Sequence, residues 1–161
     1  MSQVFCPGSQ NDVSVLGDLL FLSTDSSRTD DSCNSGTQSA AVKESWEGIN
    51  IFDISDKSAP RYIKSVETKC GSHTHTLVPH PTDANVLYIY NSGTSDVRGA
   101  AELAICTDGQ PDQNAETALF SIDVIKVELN RPQDAAIVNR PRIFADRATG
   151  AVRDPVVPIA S

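Results

Sequence analysis

Apolar residues fall along the chain in short runs of four to seven, broken by Gly, Pro, Asp and Ser, and most alternate with polar neighbours at a period of two. That period sends one side of a segment into a core and the other outward, the mark of half-buried strands. Val13 and Val15 flank Ser14, Gly17-Asp18 supplies a tight turn, and Leu19-Leu20-Phe21-Leu22 is a compact apolar run, so residues 13–24 predict a hairpin. A polar stretch, 25–47, leads to a predicted strand, Gly48-Ile49-Asn50-Ile51-Phe52-Asp53-Ile54. Ser55 to Pro60 then predicts a turn, and Arg61 to Val66 the partner strand.

The second half repeats this order. His75-Thr76-Leu77-Val78 predicts a strand, His80 to Asn85 a turn, and Val86-Leu87-Tyr88-Ile89-Tyr90 a buried strand, followed by a second polar stretch over 91–117. Ala118 to Val124 mirrors Ile49 to Ile54, with Ile125-Lys126 standing where the first unit has Ser55-Asp56, and Ala135 to Val138 mirrors Tyr62 to Val66. Two units of strand, strand, long loop, strand, strand form an internal repeat. Four-stranded units in series build β-propellers, in which each blade buries its faces against its neighbours. The expected fold is therefore all-β: two propeller-like blades of four antiparallel strands, over about 4–68 and 70–140, within a region 1–145 and followed by an irregular tail or the start of a next blade over 146–161. Two blades cannot close, so the partners expected are remaining blades or a second copy.

Ser9-Gln10-Asn11-Asp12-Val13-Ser14-Val15, Ser23-Thr24-Asp25-Ser26-Ser27-Arg28, Lys43-Glu44-Ser45-Trp46-Glu47-Gly48-Ile49, Phe52-Asp53-Ile54-Ser55-Asp56 and Cys70-Gly71-Ser72-His73-Thr74-His75-Thr76 resemble the bacterial LVIVD-repeat β-propeller proteins, known largely from actinobacteria. The resemblance covers about residues 4–91 and is most specific from Trp46 to Asp56. It implies an N-terminal portion of a longer propeller and a place outside the cell or in its envelope.

Charge and composition narrow the partners. The chain has 161 residues, with 13 basic against 21 acidic side chains and a net charge of −8. No Lys/Arg cluster is present to release counterions from a phosphate backbone, which argues against nucleic acid. No run approaches 18 consecutive apolar residues, and Met1 to Pro7 lacks the basic and apolar regions of a leader, so neither a membrane span nor an intact export signal is expected.

The four cysteines are placed symmetrically: Cys6 and Cys70 each precede the first strand of a unit, Cys33 and Cys106 each lie in its long loop. Position argues for the bridges Cys6–Cys33 and Cys70–Cys106. His73 and His75 flank Thr74, and on an extended segment both rings leave one face. Two imidazoles so placed form a candidate half-site for a divalent transition metal, with Asp12, aligned with His75 in the preceding unit, as a hydrogen-bonding support. A wet propeller channel lined by polar groups is the plainer expectation. In the more distant selenium-binding-protein family channel histidines hold a metal, and that resemblance adds weight to the metal as the alternative.

Asp25, Asp30 and Asp31 lack the spacing of a calcium loop and read as a solvated acidic loop. Asp53 and Asp123 are expected to end their strands and cap turns. Trp46 is expected to anchor the long loop where it rejoins the sheet. GxSxG, GxGxxG, P-loop and HExxH motifs are absent, and no nucleophile with a matched base stands out. Function is thus expected to be binding, as an interaction scaffold, with metal-dependent catalysis and a purely structural envelope role as alternatives.

Overall fold

The computed structural model describes residues 3–93, 98, 101, 103, 106–109, 113–114, 117–119 and 121–143. The expected tail over 146–161 lies outside the described residues. Two four-stranded antiparallel sheets account for the strands. β1 (Val13–Leu16), β2 (Leu19–Arg28), β3 (Trp46–Asp53) and β4 (Arg61–Glu67) lie side by side in chain order, and β5 (Thr74–Pro79), β6 (Val86–Ser92), β7 (Asp123–Glu128) and β8 (Ala136–Asn139) repeat the arrangement. Among the described residues the helical content is one 3₁₀ turn, Pro132–Asp134. The fold is all-β.

Alternation sorts each strand into two faces. Phe21 opposes Ile51 and Ile49 opposes Val66 on the inner face of the first sheet, while Leu87 opposes Val127 and Ile89 opposes Ile125 in the second. These inner faces stack into one core in which Phe21, Ile49, Ile51, Leu87, Ile89, Ile125 and Val127 are 0% exposed. Burying each such side chain contributes about 1.5–3 kcal/mol relative to leaving it in water, so this shared core is the main reason the sheets hold together. Gly17, at φ +58, lets β1 reverse into β2 within two residues.

Three expectations need correction. β2 does not stop at Thr24 but continues through Asp25-Ser26-Ser27 to Arg28, because β3 supplies ladder partners as far as Trp46. The strand expected over Ala118 to Val124 begins instead at Asp123. Ile125 and Val127, two apart, are the pair that reaches the core, so Ile125 is the counterpart of Ile51 rather than of turn residue Ser55. Asp53 does end β3 and accepts the Ser55 N–H at 2.8 Å, whereas Asp123 opens β7 and is 2% exposed. There it holds Arg140 Nε at 2.8 Å and accepts the Lys69 N–H at 2.5 Å.

The two long loops meet. Buried Arg98, from the second, donates to the carbonyls of Ala40, Val42, Lys43 and Ser45 in the first at 2.9–3.1 Å. Disulfides Cys6–Cys33 and Cys70–Cys106 tie each loop to the segment before its unit's first strand.

Candidate functional site

His75 sits on the inner face of β5, paired with Asn91 of β6. The equivalent place in the first sheet belongs to Asp12, whose carbonyl accepts the Ser23 N–H at 2.8 Å. Asp12 Oδ2 in turn accepts the His75 N–H at 3.0 Å and lies 3.6 Å from its Nδ1. The ring does not face an open channel: its side chain is 0% exposed and it contacts Ser23 of the facing sheet at 2.7 Å through Nδ1. The expectation of a wet, channel-facing His75 is corrected by the burial of the inner strand's face against the neighbouring sheet.

Local backbone brings a second hydroxyl to this point. Cys70 (φ +54) and Gly71 (φ +81) are both left-handed and turn the linker between sheets back on itself. The turn is held by Thr68 Oγ1 donating to the Gly71 carbonyl at 2.5 Å. Gly93 allows the turn to pack, since a Cβ there would stand 2.3–2.7 Å from the carbonyls of Lys69, Cys70 and Gly71. Ser72 is thereby inserted between the sheets, its N–H on Thr24 O at 3.3 Å and its hydroxyl 2.7 Å from Ser23 Oγ.

Counting protons fixes the tautomer. Asn91 Nδ2 donates to Gly71 O at 3.1 Å, which turns Asn91 Oδ1 toward the Ser72 hydroxyl as acceptor. Ser72 has one proton and spends it there, so Ser23 donates to Ser72 Oγ and His75 Nδ1–H donates to Ser23 Oγ. The nearby Asp12 carboxylate favours the proton on the same nitrogen. Nε2 is left with its lone pair, buried and without a hydrogen-bond partner among the described residues. Burial holds the imidazole pKa below its usual value, opposed by the Asp12 charge.

Ser, His and Asp converge here without forming a nucleophilic set. Activation of a serine needs base and orienting carboxylate on opposite ring nitrogens, whereas Ser23 and Asp12 share Nδ1 and Ser23 is 0% exposed. His73 lies just before β5, partly exposed, and pairs through Nδ1 with Asp25 at 2.9 Å. Asp25 is therefore not part of a solvated loop: it belongs to β2, is 9% exposed at the side chain, and also takes the Gln10 N–H. Asp31 likewise accepts the Tyr62 hydroxyl at 2.9 Å, while Asp30 closes a local turn on Ser32. Among the described residues, no group of three or more His, Cys, Asp and Glu is arranged around a metal position.

Ser23, Ser72, Asn91 and Asp25 were not legible as site residues. The one available signal was Ser23 continuing the inward row of Leu19 and Phe21, a polar residue where the period demands an apolar one.

No family model matches the chain, and searches of curated proteins and of solved structures return no match either.

Proposed function

We propose that this chain forms two blades of a longer, LVIVD-repeat-like β-propeller that works outside the cytoplasm as a binding scaffold. One observation carries the reading. Each sheet has one face in the shared core and an opposite face that still presents apolar side chains: Val13 (54% exposed), Val15 (53%) and Tyr62 (48%) on the first, Val78 (39%) and Tyr90 (40%) on the second. Blades in a series need such faces for their neighbours, and a monomer gains nothing from them. The two disulfides favour an oxidising compartment, and no helix among the described residues is long and apolar enough to cross a membrane.

Sedimentation of the full chain over a range of concentrations tests this. Self-association is expected for the wild type and should be lost in Val13→Lys/Tyr62→Glu, with the cooperative unfolding transition retained. A wild-type chain that stays monomeric and unfolds sharply at every concentration would overturn the reading.

The Nε2 of His75, buried without a hydrogen-bond partner among the described residues, favours a second reading, a divalent transition metal held by His73 and His75. Stoichiometric copper or zinc in the purified protein, lost in His75→Ala, separates it from the first.

A further inference from the structure

At the opposite end of β5 from His75, the short turns β1–β2, β3–β4 and β5–β6 and the segment after β7 surround a cleft of about 820 Å³ between the two sheets. Its walls are apolar: Leu16 and Leu19 from the first hairpin, Ile63 from β4, Val86 from β6, then Leu129 and Pro132. The volume lies within the range of small-molecule sites.

Its polar lining is biased to one sign. Asp18, Asp53, Ser55 and His80 line it. Asp53 is already engaged: Arg61 pairs with it, and the Ser55 hydroxyl and N–H with Arg61 hold its carboxyl down to about 2. Asp18 uses its backbone carbonyl to accept the Ile54 N–H at 2.8 Å, which fixes the turn, and no cation among the described residues pairs with its carboxylate. His80 Nδ1 accepts the N–H groups of Thr82 (3.3 Å) and Asp83 (3.1 Å), so the neutral ring carries its proton on Nε2. The cleft therefore combines an apolar lining with one carboxylate that has no cation partner among the described residues, on a chain of net charge −8.

We propose that this cleft between the sheets binds a small organic cation with an apolar body, such as an arylalkyl ammonium, the body against Leu16, Leu19, Ile63 and Val86 and the ammonium on Asp18. The site lies wholly within the described residues and does not depend on the propeller reading or on any further blade.

Amide ¹⁵N–¹H spectra of the full chain, titrated at neutral pH with phenethylamine, 2-phenylethanol and 3-phenylpropionate, test it. Phenethylamine should give saturable shifts centred on Gly17 to Leu19, Val86 and Leu129, bind about tenfold more tightly than the alcohol, and the acid should not saturate. Asp18→Asn keeps a good turn residue and should reduce amine affinity to that of the alcohol. Ala84→Trp, at an exposed position lining the cleft, should abolish binding of both while leaving the unfolding transition in place. Equal affinity for amine and alcohol, shifts centred on Val13 and Tyr62 instead, an unaffected Asp18→Asn, or no saturable binding by any of the three would each overturn the proposal.

Discussion

Acidification should destabilise the protein through His75 before its depressed carboxylates contribute. Two effects compete at the ring. Asp12 stands 3.6 Å from Nδ1, but its side chain is 36% exposed, and water screens its attraction toward the limit of about 1 kcal/mol at such a separation. An imidazolium there would also carry a buried Nε2 proton with no acceptor among the described residues, at a cost of several kcal/mol. Desolvation wins, and the folded-state pKa is depressed. The unfolded chain exposes the ring and takes up its proton near the ordinary value of 6.5. Stability is therefore fully present above that value, falls as pH drops below it with a slope approaching about 1.4 kcal/mol per pH unit, and stops falling below the folded-state pKa.

Glu67 acts in the opposite sense, since burial raises its pKa and protonation favours the folded state above its ordinary 4.5. Asp30, Asp53, Asp56 and Glu128 are depressed by hydrogen bonds and lose their contributions only as pH falls below the ordinary carboxylate range. Urea unfolding of wild type and His75→Gln, in steps between pH 8 and 5, isolates His75 by difference, because every other group is common to both. His75→Asn serves if the glutamine variant does not fold. The difference should be level above pH 7 and slope below 6.5. Parallel curves would show that His75 does not change protonation on unfolding, and a difference of opposite slope would mean that the Asp12 charge outweighs burial.

Removing either disulfide, as Cys6→Ser/Cys33→Ser or Cys70→Ser/Cys106→Ser, should cost about 3–4 kcal/mol by the chain-entropy model, read as a fall in Tm, since the bridges span 27 and 36 residues. Gly48→Ala should destabilise by about 1–3 kcal/mol in denaturant unfolding, because its Cβ would stand 2.1 Å from the Val66 carbonyl and 3.0 Å from Glu67 Cα, both backbone atoms.

Period-two alternation was enough to place β1, β3, β4, β5, β6 and β8 to within a few residues, and the two antiparallel four-stranded sheets with them. Inward side chains of a half-buried strand must be apolar at every second position, and that constraint is local. It failed where the partner strand rather than the side chains decides. The polar end of β2 is a strand because β3 offers it hydrogen bonds, and β7 starts at Asp123 because Ile125 is what meets Ile89. The alignment of His75 with Asp12 followed from the repeat alone. That His75 points into the interface between sheets, is locked by Ser23, Ser72 and Asn91, and leaves Nε2 unpartnered depended on contacts 16 to 52 residues apart along the chain. The cleft above Leu16 and Val86 is likewise a property of how two sheets diverge at their turns. Periodicity reports which face of a strand is buried, and only tertiary packing decides what it is buried against.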